Sequence, residues 1–268
     1  MKEFSGRVAV ITGGASGIGL AMARRFASEG MRLVLADIEE PGLTKAVEEF
    51  RSAGTEAVGV VTDVADHDSV VNLHDRTLDA FGSVHIVCNN AGVVGRSIVD
   101  SSIDMWRWVV GVNLFGVING CNVFLPTLVE QGEGHVVNTA SLAGLRGNAI
   151  LGIYCTTKFA VVGLSESLFE ELRASGSKVG VSVVCPGFVQ TRIAESDRNM
   201  PAHLKAAQPG PSDQVVVGQA VAAGIPASEV ADAVFDAVVA DRLYVLTHGD
   251  MARSALDQRL SLLFEQGS

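Results

Sequence analysis

Metal-ligand spacing is missing from this chain: its six histidines form no H-E-x-x-H or comparable pattern, and no metal site is expected. Paired cysteines are missing too. Cys88, Cys121, Cys155 and Cys185 are widely spaced with no C-x-x-C, and three of them sit in or beside apolar runs, where a reduced, buried thiol is the default. Cys155 beside Tyr154 reads as a small filler on the other side of a helix. Basic charge is scarce, with 20 Lys and Arg against 30 Asp and Glu and a formal net charge of -10. That balance argues against a nucleic-acid surface or a binder of anionic membranes. Long hydrophobic runs are absent as well, since the one from Val109 is broken by Gly111, Asn113 and Gly116. The opening M-K-E-F-S-G-R has no signal-peptide apolar region, so a soluble, cytoplasmic protein without membrane contact is expected.

The chain does have enough apolar material for a large core. Of 268 residues, 48% are hydrophobic and only 19% charged, which suits one α/β domain. Short β-branched runs at 7–12, 32–36, 57–62, 85–88, 135–139, 180–184 and 243–247 alternate with helical patterns at 18–29, 41–53, 67–81, 102–131, 153–174 and 227–241. Several strand runs are apolar nearly throughout, as strands covered on both faces are. The alternation predicts βαβ units and a Rossmann-like, doubly wound parallel sheet of seven strands flanked by helices, in a single domain over 1–268. From Arg192 to Pro226 the rhythm breaks: Pro201, Pro209, Gly210, Pro211, Gly218, Gly224 and Pro226 predict a long irregular insertion. Its apolar patches suit a substrate lid at about 190–226.

After the first strand run comes T-G-G-A-S-G-I-G, from Thr12 to Gly19, followed by a helical pattern. In a nucleotide-binding reading, Gly13 permits a tight turn and Gly17 lets a diphosphate approach the backbone. Gly19 allows close packing, while free N–H groups at the helix start hold the anion. Asp37 closes the second strand run, where a carboxylate accepts both ribose hydroxyls of an adenosine and repels a 2′-phosphate. Ile38, Glu39 and Glu40 follow it without a basic neighbour, which favours NAD over NADP. Asp63 closes the third run, in reach of an adenine amino group, and Asn89-Asn90-Ala91-Gly92 closes the fourth. Taken singly, these are also ordinary turn residues.

Tyr154 and Lys158 are four residues apart in a helical run, which stacks phenol and ammonium on one face. A tyrosine with an ordinary pKa of about 10 is a poor proton carrier at neutral pH. A neighbouring cation is expected to lower that pKa and make Tyr154 a usable acid or base. Ser141, just past the run H-V-V-N-T-A, offers a hydroxyl to polarise a substrate oxygen. Alone, Tyr-x-x-x-Lys also occurs by chance in helices.

Together, T-G-x-x-x-G-x-G at 12–19, Asp37, Asp63-Val64, N-N-A-G at 89–92, Asn113, Ser141, Y-x-x-x-K at 154–158 and P-G-x-x-x-T at 186–191 resemble the short-chain dehydrogenase/reductase family, in family order, over about residues 5–247. The resemblance implies a catalytic tetrad of Asn113, Ser141, Tyr154 and Lys158. Tyr154 would exchange a proton with the substrate oxygen, and Lys158 would lower its pKa and bind the nicotinamide ribose. Ser141 would hold the substrate oxygen, and Asn113 would anchor a water linking Lys158 to solvent. It further implies a cofactor site of Gly13, Ser16, Gly17, Ile18, Gly19, Asp37, Ile38, Asp63, Val64, Asn90, Ala91, Gly92, Tyr154, Lys158, Pro186, Gly187, Val189 and Thr191. The stretch V-V-G-V-N-L-F-G offers Asn113 no polar neighbour, so a water-filled break in the helix is expected there. The resemblance also implies a homotetramer or homodimer. Ala160, Gly163 and Ser167 would let a twin helix approach, although packing on the sheet explains them almost as well.

Pocket candidates are Val93, Val94, Arg96, Leu142, Leu145, Asn148, Leu151, Phe188 and the lid. Most are apolar and suit a small, hydrophobic alcohol or ketone. Arg96 and Arg146 are either contacts for an anionic group or solvated loop residues. Three functions compete: an NAD-dependent oxidoreductase on a secondary alcohol or ketone, an NADP-dependent carbonyl or 3-oxoacyl reductase, and a dinucleotide-binding sensor without catalysis.

Overall fold

In chain order the elements are β1 (Val8–Thr12), α1 (Gly17–Ser28), β2 (Arg32–Asp37), α2 (Glu40–Ser52), β3 (Ala57–Val61), α3 (His67–Phe81), β4 (Ile86–Asn89) and α4 (Ile103–Val110). After α4 come a π-helical turn (Gly111–Phe115), α5 (Gly116–Gln131), β5 (Gly134–Thr139), a 3-10 turn (Leu142–Gly144), α6 (Gly152–Ala174) and β6 (Val179–Val184). A 3-10 segment (Ile193–Asn199), α7 (Ala202–Ala206), α8 (Ser212–Ala222), α9 (Ala227–Ala240), β7 (Tyr244–Val245) and α10 (Gly249–Phe264) complete the chain. The computed structural model describes residues 3–206 and 212–264.

All seven strands run parallel, in the order β3-β2-β1-β4-β5-β6-β7. The strand sequences dictate a sheet covered on both sides. Ala9 and Ile11 of β1, with Leu33 and Leu35 of β2, face one apolar cluster that holds Phe26 of α1, Phe50 of α2 and Phe235 of α9. The alternate residues Val8, Val10, Val34 and Ala36 face a second cluster with Leu73 of α3, Phe124 and Leu128 of α5 and Leu172 of α6. A period-2 chain with apolar residues at every position can satisfy both layers at once. By length and composition, Ile103–Gln131 also suits a membrane crossing. Here its Val117, Phe124 and Leu128 are buried in the fold.

Strand order reverses between β1 and β4, so the crevice beyond their carboxyl ends is the place where such sheets take ligands. The loops after β1, β2, β4, β5 and β6 all open there.

Two expectations need correction. The segment from Arg192 to Pro226 is largely helical where an irregular insertion is expected. Its prolines stand where helices accept them, Pro201 directly before α7 and Pro226 as the N-cap of α9. The segment leaves the sheet through a narrow neck, a parallel bridge between Val189 and Ile225. Pro209, Gly210 and Pro211 of the lid reading lie outside the described residues. The other correction is α10, which the sequence reading lacks altogether. It mixes Asp250, Arg253, Asp257 and Arg259 among scattered leucines, and only Ala252 is buried on it, so no strong apolar stripe marks it as a helix.

Candidate active site

The crevice is one cleft of about 900 Å³, lined from Gly13 and Asp37 at one end to Met251 and Gln258 of α10 at the other. At the first end, Gly13 and Gly17 take positive φ angles of +65° and +55°, open to glycine at little cost. A Cβ on Gly19 would lie 2.2 Å from the Gly13 carbonyl oxygen, so the loop closes only on glycine. Ser16 is the N-cap of α1 but makes no side-chain cap bond. The first N–H groups of the helix therefore point unpaired toward the loop, the arrangement that receives a phosphate. Thr191 is packed against Gly17, where a Cβ would meet its Cγ2 at 3.1 Å.

Asp37 stands at the cleft with its carboxylate accepting N–H bonds from Ala15 (3.1 Å) and Glu39 (3.1 Å). Burial raises its pKa above the usual value, with those N–H groups opposing the rise. Ile38 lies beside it in the cleft lining, 48% exposed. Asp63 is exposed, and its Oδ1 accepts the Ala65 N–H (3.0 Å) to shape the turn. It still lines the cleft together with Val64.

The floor is fixed by Thr12 and the N-N-A-G turn. The Thr12 hydroxyl accepts the N–H groups of Asn90 (2.9 Å) and Ala91 (3.1 Å), and the Asn90 amide returns a bond to the Thr12 carbonyl (3.0 Å). Gly92 then passes Lys158 so closely that a Cβ would lie 3.7 Å from Nζ.

Tyr154, Lys158 and Ser141 converge at the centre. The four-residue spacing on α6 places Lys158 Nζ 5.5 Å from the Tyr154 ring centroid. Ser141, at the start of the 3-10 turn after β5, lines the cleft with the phenol and favours its ionised form. Lys158 is 3% exposed and donates to the Thr139 carbonyl (2.7 Å). The expected lowering of the tyrosine pKa is absent here. Burial pushes Tyr154 up to about 12, only partly countered by Ser141, and pushes Lys158 down to about 8. Desolvation disfavours both charged forms and is the largest cause of each shift.

Asn113 draws its partners from outside its own helix. It lies in the π-helical turn, fully buried, and is not short of partners. Its Oδ1 accepts the Val93 N–H (2.8 Å), and its Nδ2 donates to the Val93 carbonyl (2.9 Å) and to Thr157 Oγ1 (3.2 Å). These partners come from the loop after β4 and from α6, which no reading of its own helix reveals. Asn113 therefore fastens the cleft wall to the helix that carries Tyr154.

Of the pocket candidates, Val93, Val94, Leu142, Asn148, Leu151 and Phe188 line the cleft. Leu145 does not, being 5% exposed in a core cluster with Val161 and Val183. Arg96 pairs with Asp197 (3.4 Å), whereas Arg146 borders the cleft with an exposed side chain. Pro186, Gly187, Val189 and Thr191 also line the cleft. Cys155 is buried, and its pKa is raised by that burial, as befits a filler.

The sequence reading misses one feature with no local signal. The 3-10 segment Ile193–Asn199 follows β6 yet reaches the end of β2, four strands away in the sheet. There Arg198 Nε meets Glu39 Oε1 at 2.5 Å, Asn199 Nδ2 donates to the same oxygen (2.9 Å), and Arg192 stands 4.0 Å from Oε2. Burial opposes ionisation of Glu39, but Asn199 and Arg198 outweigh it and hold the carboxylate below its usual range. A basic group thus does approach the neighbourhood of Asp37, although not from the adjacent sequence, and Glu39 neutralises it.

Known proteins give the arrangement a context. A family model described as short chain dehydrogenase matches residues 7–202. The C alpha-dehydrogenase of Sphingobium sp. strain SYK-6 is 32% identical, over 99% of this chain and 88% of its own length. The 1-deoxy-11-beta-hydroxypentalenate dehydrogenase of Streptomyces avermitilis is 35% identical, over 93% of this chain and 87% of its own. Among solved structures, a short chain dehydrogenase/reductase from Burkholderia phymatum in complex with NAD is 43% identical. It superposes with a TM-score of 0.96, covering 100% of this chain and 98% of its own. Motif order, sheet, cleft and relatives agree: the chain belongs to the short-chain dehydrogenase/reductase family, oxidoreductases that act on CH–OH groups.

Proposed function

We propose that the chain is an NAD-dependent oxidoreductase that moves a hydride between the nicotinamide and a secondary alcohol or ketone, with Tyr154 as general acid and base. The observation that carries this reading is the convergence of Ser141, Tyr154 and Lys158 at the centre of a cleft whose far end holds the uncapped start of α1 and Asp37. The residues fit the cofactor: Gly13, Ser16, Gly17 and Ile18 cradle the diphosphate, and Asp37 takes the adenosine ribose. Ile38, Asp63 and Val64 flank the adenine, and Asn90, Ala91 and Gly92 form the floor. Pro186, Gly187, Val189 and Thr191 form the nicotinamide-side wall. The Asp37 carboxylate opposes a 2′-phosphate, and Arg198, tied to Glu39, is not free to receive one. The NAD complex of the Burkholderia relative supports the same choice.

When bound, the nicotinamide accepts or supplies the hydride and, in its oxidised form, adds a positive charge that favours phenolate over phenol. In oxidation, the Tyr154 oxygen takes the proton of the substrate hydroxyl as the carbinol hydrogen leaves as hydride; reduction runs the reverse. Ser141 donates to the substrate oxygen and keeps it beside the phenol. Lys158, held by the Thr139 carbonyl, presents its cation beneath Tyr154 and toward the nicotinamide ribose. Val94, Trp108, Leu151, Phe188, Val217, Val221 and Met251 give the substrate end a mostly apolar wall, which suits a hydrophobic alcohol or ketone. The segment at about 190–226 acts as the lid.

The test follows absorbance at the NADH band. NAD and NADP are each offered with secondary alcohols, and NADH and NADPH with ketones and 3-oxoacyl thioesters, with Tyr154→Phe beside the wild type. Turnover with NAD that vanishes in the variant is expected. A preference for NADP overturns the cofactor assignment, and tight NADH binding without turnover across the panel favours a sensor.

Ala160, Gly163 and Ser167 lie on the outer side of α6, and a Cβ on Gly163 would meet nothing within 4 Å. This open face supports a homodimer or homotetramer built by pairing α6 with a second copy. Gly163→Arg is expected to lower the mass seen in light scattering, and an unchanged mass removes that pairing. The four free cysteines suit a reducing compartment such as the cytoplasm, which cell fractionation checks.

A further inference from the structure

The peptide unit between Pro186 and Gly187 is held at both of its ends. Its carbonyl oxygen, on Pro186, accepts the Leu142 N–H (2.9 Å) and faces the Ser141 hydroxyl at 3.4 Å. Its N–H, on Gly187, donates to Nδ1 of His248 at 3.1 Å. His248 lies behind the cleft wall, between β7 and α10, and its own carbonyl accepts the Ala252 N–H (2.9 Å) that begins α10. Its ring fills the space beside Gly187 so fully that a Cβ there would approach it to 2.9 Å.

These partners settle the imidazole's tautomer. Because Gly187 N–H donates to Nδ1, that nitrogen carries no hydrogen, and the Thr247 hydroxyl lies 2.9 Å from it. The ring proton is on Nε2. Glycine is the residue least able to resist rotation of its own peptide plane. The turn that forms the nicotinamide wall and orients the Ser141 hydroxyl thus depends on an acceptor supplied from 61 residues further along the chain.

We propose that His248 is a positioning residue: it fixes the Pro186–Gly187 peptide plane, and through it the Ser141 hydroxyl and the nicotinamide wall, and joins that wall to α10. The inference rests on the oxidoreductase reading for its catalytic consequence, but the peptide anchor is measurable without any substrate.

The experiment compares wild type, His248→Ala and His248→Asn, the last keeping an acceptor oxygen near the place of Nδ1. Amide hydrogen exchange is read at Gly187 in the protein without cofactor, and kcat and KM for NAD are read with the active alcohol. His248→Ala is expected to speed Gly187 exchange roughly tenfold, the loss of one good hydrogen bond. It is also expected to lower kcat and raise KM for NAD, and His248→Asn should restore most of both. Unchanged exchange in His248→Ala overturns the proposal, as does an Asn variant as impaired as the Ala variant. Should neither variant fold, nitrogen NMR of the wild-type imidazole decides: a proton on Nδ1 overturns the assignment, and one on Nε2 upholds it. If no alcohol is turned over by any form, the oxidoreductase reading fails while the exchange result still stands for or against the anchor.

Discussion

Replacing Lys158 with methionine should make the protein more stable and less able to react. The ammonium is 3% exposed, and burial takes its pKa from 10.5 to about 8. At about 1.4 kcal/mol per pH unit, that drop means the charged lysine costs the fold about 3 kcal/mol at pH 7. Methionine has nearly the same length and no charge to desolvate. It leaves the Thr139 carbonyl without its 2.7 Å partner, a loss of about 1 kcal/mol. The net gain is about 2 kcal/mol, or about 4 °C in Tm for a chain of this size. The pH dependence carries the sign. The unfolded lysine keeps its proton to a higher pH than the folded one, so the Lys158 contribution to stability rises as pH increases from 8 toward 10.5. The buried cysteines act the other way in both proteins and cancel in the comparison. Thermal unfolding of cofactor-free wild type and Lys158→Met, from pH 7 to 9.5, should show the gap shrinking from about 2 kcal/mol to near zero. Stopping there avoids ionisation of Tyr154 in the unfolded chain. A variant less stable than wild type at pH 7, or a gap that ignores pH, refutes the reasoning.

Asn113→Ala removes both side-chain bonds that tie the π-helical turn to Val93, leaving the buried Val93 N–H and carbonyl without those partners. A loss of about 3 kcal/mol in urea unfolding is expected, and less than about 1 kcal/mol would show that the loop repairs itself. Glu39→Gln dissolves the ion pair with Arg198, in which both side chains are under one-third exposed (29% and 27%). Stopped-flow release of NADH should quicken by about fivefold and lose part of its salt sensitivity. Release that is unaltered at low salt would detach the lid from the adenosine end.

The strands and most helices were readable because each depends on its own residues. Apolar runs covered on both faces give β1, β2, β5 and β6, and glycine stops or caps bound α1, α2 and α3. Tyr154, Lys158, Ser141 and Asp37 were readable for the same reason: fixed spacing on an element fixes a position. What escaped depends on residues far apart in the chain. Asn113 finds Val93 and Thr157, Glu39 finds Arg198, and Gly187 finds His248. The direction of the Tyr154 shift escaped because a four-residue spacing reports the cation and not the burial of both groups. The helices within 192–226 were hidden by prolines that prove to be helix starts, and α10 by its weak apolar face.

The two ends of the cleft come from different lengths of chain. Residues 13 to 92 line one end of the cleft and run to its centre, Ser141 to Lys158 line the centre, and α8 and α10 line much of the far wall. Such a layout separates inheritance of the chemistry from inheritance of the target. A genetic crossover just past Thr191 would exchange α8 and α10 as a block and keep the cleft residues from Gly13 to Lys158. Among the links it must respect are the reach of Arg198 back to Glu39 and of His248 back to Gly187, so a donor segment succeeds only if it brings partners for both.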